Sequence, residues 1–122
     1  MIKITLLFTL LFQSKIVAVE VDQKSYYQKF NQAVEYYKEG RYQLAESIFK
    51  NILKNDRDYR DPASQLLIAK SQNQQGLWGE ARRTCKAILA NYPGSPYEID
   101  IYVLLGDCAL NEGKISQAFK NY

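Results

Sequence analysis

Cys85 and Cys108 are the only thiols in this 122-residue chain, and nucleophilic or soft-metal chemistry would have to start from them. A thiol becomes a nucleophile when a neighbouring base removes its proton, and histidine is the usual base. The sequence contains no histidine at all. The two cysteines also lack C-x-x-C spacing, so neither a zinc site nor a thioredoxin-type pair is supported; two small core residues are the simpler reading. Asp100 and Asp107 lie seven residues apart, which puts both on one face of a helix. Glycoside-type acid and base chemistry needs two carboxylates opposed across a cleft instead. The run Asn55-Asp56-Arg57-Asp58-Tyr59-Arg60-Asp61 offers oxygens, but a calcium loop needs a regular ligand series around a central glycine. That run reads as a solvated loop, and Arg82-Arg83 as an exposed helix face. The residues therefore predict no catalytic, cofactor-binding or metal site.

Composition narrows the class further. Apolar residues make up 47% of the chain, enough for a buried core, and there are ten tyrosines, all beyond residue 25. Lys3, then an apolar run from Ile4 to Phe12, then Ile16-Val17-Ala18, follow the order of a secretory signal peptide. Cleavage after Ala18 is expected, with residues 19–25 as a linker. The run is too short to span a bilayer, so the mature chain is expected to carry no membrane span. Losing Lys3 and Lys15 leaves fourteen basic residues against thirteen acidic ones, interspersed rather than clustered. Nucleic acid is not an expected partner.

What the elements must do is set by a repeat. Gly40, Gly76 and Gly113 stand 36 and 37 residues apart. Seven residues before each comes a small residue, Ala33, Ala69 and Gly106; five residues after each comes alanine, Ala45, Ala81 and Ala118. Tyr42, Trp78 and Ile115 follow the glycines by two, and Phe49, Cys85 and Tyr122 follow the alanines by four. Each column has a cause. The glycine ends a first helix in the left-handed conformation that lacks a Cβ penalty. The small residues let the returning second helix approach closely, where a larger side chain would push the pair apart. The helices are predicted at Ser25 to Glu39, Tyr42 to Lys54, Pro62 to about Gln75, Trp78 to Asn91, Tyr97 to Asn111, and from Ser116 onward. Asp61-Pro62 reads as an N-cap with proline at the first helical position. Pro93-Gly94-Ser95-Pro96 stops the fourth helix. The sixth helix ends at Tyr122, about halfway along the length of its counterparts, which is the pattern of a piece of a longer protein.

These columns resemble the tetratricopeptide repeat over residues 26–122, most closely in Tyr102, Leu105, Gly106 and Ala109, and in Ala81 and Pro93. The resemblance implies an all-α solenoid of antiparallel hairpins, with repeats at about 26–61, 62–98 and a truncated 99–122. The turn Tyr92-Pro93-Gly94-Ser95, followed by a Tyr-x-x-Leu-Gly helix, is similar to the bacterial cell-envelope branch of that family, which includes the Tol–Pal coordinator and outer-membrane assembly lipoproteins. Carried over, the family's concave groove would present Tyr27, Phe30, Val34, Tyr37 and Lys38 from the first helix. The third helix would supply Ala63, Leu66, Lys70, Asn73 and Gln74, and the fifth Asp100, Val103, Asp107, Leu110 and Asn111. Phe30, Leu66 and Val103 stand at the first position of the family's carboxylate clamp, which disfavours that mode. Tyr26, Tyr27, Phe30, Tyr36 and Tyr37 read either as an interaction surface or as hairpin core, and Trp78 as hairpin-end packing. What the resemblance implies is an exported, non-catalytic scaffold in the periplasm or outer envelope, gripping a protein or peptide in its groove. The alternative is the N-terminal accessory module of a larger periplasmic ligand-binding or enzyme-activating protein. Self-association through the last repeat is a third reading.

Overall fold

The structure, a computed structural model, describes residues 25–57 and 59–122, and every regular element among them is helical. Helix α1 covers residues 25–38. It is followed by α2 (Tyr42–Asn55), α3 (Ala63–Gln74), α4 (Trp78–Asn91), α5 (Glu98–Asn111) and α6 (Ile115–Asn121). The expected signal segment and residues 19–24 of the expected linker lie outside the described residues, as does Asp58; Ser25 is already helical.

The first helix of each hairpin ends in the same way. Gly40, Gly76 and Gly113 adopt φ of 82°, 79° and 77°, where a side chain would be strained. In each turn the glycine N–H reaches back three residues, and the next residue's N–H reaches back five: Arg41 to the carbonyl of Tyr36, Leu77 to Gln72, Lys114 to Ala109. This paired reach satisfies carbonyls that the helix end would otherwise leave bare, and it reverses the chain within two residues.

The reversal brings the small-residue columns together. Ala33, Ala45, Ala69 and Ala81 have no exposed surface, and Ala118 has almost none. A Cβ added at Gly106 would come within 2.5 Å of the Tyr122 ring, so that glycine is the flat seat on which Tyr122, just past α6, lies. Two cores result. The first holds Phe30, Ala33, Ala45, Phe49 and Ile52, together with Ile68 from α3. The second holds Leu66 and Ala69 of α3, Ala81, Cys85 and Ile88 of α4, and Ile101, Leu104, Leu105 and Cys108 of α5. Helix α3 therefore gives side chains to both. Trp78 packs against the second core as a partly buried side chain, the hairpin-end role its column implies.

Polar contacts fasten one hairpin to the next. Glu46 of α2 is buried and accepts from Gln72 Nε2 of α3 at 3.0 Å and from Gln75 Nε2, at the C-terminal cap of α3, at 2.8 Å. One repeat later Arg82 of α4 pairs with Glu112, just beyond α5, where Lys114 also binds at 2.8 Å. Arg82 is thus a bridge between hairpins and not the free surface residue its Arg82-Arg83 setting suggests; its partner lies 30 residues away in the chain.

The loop before α3 also departs from expectation. Asp61 does not cap the helix: Pro62 is the residue at the cap, with no side-chain bond to the first turn. The Asp61 carboxylate instead accepts from Gln65 Nε2 at 2.9 Å and from the Tyr92 hydroxyl at 3.2 Å, tying the loop to the end of α4. Nor is this loop merely solvated. Arg60, at φ 52°, holds its guanidinium over the rings of Phe30 (4.6 Å), Tyr27 (5.5 Å) and Tyr59 (5.7 Å).

Candidate functional site

The first helices of successive hairpins line one side of the stack, and between α3 and α5 they leave a cleft. One compartment, about 260 Å³, is bounded by Tyr37, Lys70, Asn73, Gln74, Asp100, Val103, Leu104 and Asp107. An adjoining one, about 330 Å³, shares Asn73, Gln74 and Asp107 and adds Leu110 and Asn111. Nine of the fifteen residues expected to form the groove are gathered here: Tyr37, Lys70, Asn73, Gln74, Asp100, Val103, Asp107, Leu110 and Asn111. Leu104 is an addition; its column sits one helical turn from Asp100, on the boundary between groove and core, and it is 5% exposed.

The other six do not join them; Ala63, the first residue of α3, is half-buried away from the cleft lining. Phe30 is buried, its ring edge-on to Phe49 at 5.3 Å, because its direction on α1 points at α2. Leu66 is buried in the second core for the same reason. Both are corrected from groove to core residues. Val34 is half-buried against the first core, Tyr27 lies under Arg60, and Lys38 pairs with Glu35 at 3.1 Å on the surface. Of the aromatic group on α1, Tyr26, Tyr36 and Tyr37 pack against the core and Tyr27 stays exposed, so the core reading describes most of it.

The cleft floor is ordered by its own hydrogen bonds. Asn73 Oδ1 accepts from Asn111 Nδ2 at 3.1 Å and from the Cys108 thiol at 3.5 Å, which fixes the amide. The Tyr122 hydroxyl donates to Asp107 Oδ1 at 2.6 Å, and this bond pushes the phenol up to about 12. Lys70, Asp100, Gln74 and the second oxygen of Asp107 complete a lining of amides, two carboxylates and one ammonium over apolar Val103 and Leu110. Such a lining can hydrogen-bond a peptide backbone while apolar spots take side chains. Burial, with Cys108 nearby, pushes the Cys85 thiol up to about 12; burial, with Glu112 and Asp107 nearby, pushes Cys108 up to about 11. Both cysteines are free and buried, and both stay protonated at neutral pH. No group of three or more metal-ligating side chains occurs among the described residues. A larger hollow of about 530 Å³ opens at the turn between α1 and α2, lined by Gly40, Arg41, Tyr42, Gln43, Leu44, Ser47 and Gln75. It is not among the surfaces the repeat pattern marks as a groove.

Antiparallel hairpins of near-constant period, stacked so that first helices line one side, define an α-solenoid. The match to known proteins agrees: the tetratricopeptide repeat family model covers residues 30–96, more than half of the chain, and the protein belongs to that family. Its fold is similar to the crystal structure of the TPR domain of Arabidopsis FLU, at a TM-score of 0.70 and 20% identity, over 82% of this chain and 90% of that one. No curated protein matches the sequence. Tetratricopeptide folds generally mediate protein–protein interaction, and their domains are typically non-catalytic. No helix among the described residues is long and apolar enough to cross a membrane.

Proposed function

We propose that the protein is an exported interaction scaffold of a bacterial cell envelope, which holds a peptide or partner helix in the cleft between α3 and α5. The observation that carries this reading is the convergence of Lys70, Asn73 and Gln74 from α3 with Asp100, Asp107 and Asn111 from α5 on one concave surface. Fixed amides suit main-chain recognition, because their geometry is set before the ligand arrives and less ordering entropy is lost on binding. The envelope setting rests on the signal-like order of the first eighteen residues and on the Tyr92-Pro93-Gly94-Ser95 turn.

A photo-crosslinking residue at Gln74, exposed beside the cleft, tests the site; Lys86, exposed on α4, is the control position. In an envelope extract the Gln74 probe is expected to capture a partner that the Lys86 probe does not. Adding Asn111→Arg should abolish that capture at an unchanged melting temperature. Equal capture from both positions would remove the cleft from consideration. Export is read separately, from the N-terminal residue of the protein purified from the envelope fraction: Val19 is expected, and a retained Met1 in the cytoplasmic fraction would overturn the setting.

A further inference from the structure

We propose that the outer ridge of α2, α4 and α6 is a docking surface for an anionic lipid bilayer. The ridge belongs to the second helices, whereas the cleft is lined by the first ones, and the inference depends neither on the cleft's role nor on export. Along the sequence the charges are interspersed, but folding sorts them by helix. Helices α2, α4 and α6 carry six basic residues against two acidic ones, whereas α1, α3 and α5 carry three against four. Of the two acids on the second helices, Glu46 is buried, which leaves Glu80 as the exposed one.

The repeat sets the basic side chains in register. With hairpin offsets of 36 and 37 residues, Lys50 of α2 is equivalent to Lys86 of α4, and Arg83 of α4 to Lys120 of α6. Lys50 and Lys54 stand four apart and Arg83 and Lys86 three apart, spacings that put both members of a pair on one face of a helix. All five are exposed. The same columns otherwise hold Ser47 and Ala90, also exposed, and no acid. The inward columns of these helices use their charges between hairpins, Glu46 with Gln72 and Arg82 with Glu112. On the ridge, Lys50 pairs with Glu46 at 2.7 Å and still has an exposed side chain. Lys54, Arg83, Lys86 and Lys120 make no ion pair among the described residues.

Three features select a bilayer as the occupant. The five cations stand on three successive second helices, and none of them lines the cleft or the hollow at the α1–α2 turn. They form a band facing outward and do not converge on a small anion. Second, a protein partner is held by buried aromatic or aliphatic anchors, and the ridge columns offer only Ser, Ala, Lys and Arg. Third, single-stranded nucleic acid is gripped by aromatic rings that stack on bases, and those columns contain no ring. An anionic bilayer asks for neither. Each Lys or Arg brought to its surface adds roughly 1 kcal/mol, about a fivefold gain in affinity, and roughly four to eight such residues suffice for recognition. Docking on this side would leave the cleft turned away from the lipid and open to a partner.

Co-sedimentation of the purified chain with lipid vesicles tests this. Vesicles of equal parts phosphatidylglycerol and phosphatidylcholine are expected to bind it, and vesicles of phosphatidylcholine alone are not. Salt at about 1 M, where the screening length is about 3 Å, should release it. Arg83→Glu combined with Lys86→Glu should weaken binding at least tenfold while the helical circular dichroism and melting stay unchanged. Lys54→Glu combined with Lys120→Glu should do the same, and carries the test if the α4 pair disturbs its helix. Lys29→Glu combined with Lys38→Glu makes the same change of charge at exposed positions of α1 and should bind as the wild type does. No binding to the anionic vesicles overturns the proposal. So does equal binding to phosphatidylcholine alone, which would mean apolar insertion, or an equal loss in all three double variants, which would mean net charge without a face. Inorganic phosphate that releases the chain at an ionic strength where chloride does not would assign the ridge to a small anion. Duplex DNA that strips the chain from vesicles at matched phosphate concentration would assign it to nucleic acid, and either result overturns the bilayer.

Discussion

Ala81 shows how little room the hairpin leaves for a side chain. It is fully buried where α4 crosses α3, in a core with Leu66, Ala69 and Cys85. Interiors are packed like crystals, so three added carbons at such a crossing must separate the helices or force strained rotamers. Ala81→Leu is expected to lower the unfolding free energy by about 1–3 kcal/mol, read as an earlier midpoint in urea. A midpoint equal to the wild type would mean that the column is not a crossing point. The same directness makes Ala33, Ala69, Gly106 and the capping glycines legible in the sequence: each does one steric job that few residues can do. Phe30 and Leu66 were not legible in that way. A first helix carries a core face and a groove face side by side, and both recur at three-to-four spacing. Which one an apolar residue serves depends on where the second helix lands, and Phe30 lands under Phe49.

Between elements polar contacts add to the apolar cores, and these the sequence conceals. Nothing in the spacing of Glu46, Gln72 and Gln75 says that they meet, since a charged residue on a second helix reads as solvated. In the structure Glu46 also takes an ion pair from Lys50 at 2.7 Å. Burial alone would raise its carboxyl, but hydrogen bonds from Lys50, Gln75 and Gln72 outweigh that and hold it below the ordinary value of 4.5. A carboxyl lowered on folding adds stability that is present above its unfolded value and is lost as the pH falls through its folded value. Glu46→Gln should therefore be less stable than the wild type near neutrality, by about 1–3 kcal/mol if the amides of α3 lose part of their bonding. The gap should narrow on acidification below about pH 4.5, where the wild-type carboxyl takes up its proton. Urea midpoints of both proteins across that window decide the matter; a gap that does not change with pH would show that the charge is not what fastens α2 to α3.

At the scale of the molecule the stack is one-dimensional: each hairpin meets its neighbours, and stability is approximately a sum of hairpin and junction terms. Helix α3 is the member that joins the sum. Ile68 enters the first core, while Leu66 and Ala69 enter the second, so neither core can open without disturbing the helix that the other needs. That arrangement predicts one cooperative transition and not two. It also predicts how substitutions combine. Phe49→Ala in the first core should cost about 3–5 kcal/mol, and Ile88→Ala in the second about 2–5 kcal/mol, each from lost burial and a remaining cavity. The two residues belong to separate cores, so the double variant should equal the sum within about 0.5 kcal/mol if it still folds. Where the full truncations leave too little structure, Phe49→Leu and Ile88→Val give the same cycle at smaller cost. Additivity with a single transition supports two cores joined through α3. Two separated transitions would mean that the hairpins unfold independently, and the concave surface between α3 and α5 would then lack the rigid frame on which its fixed amides depend.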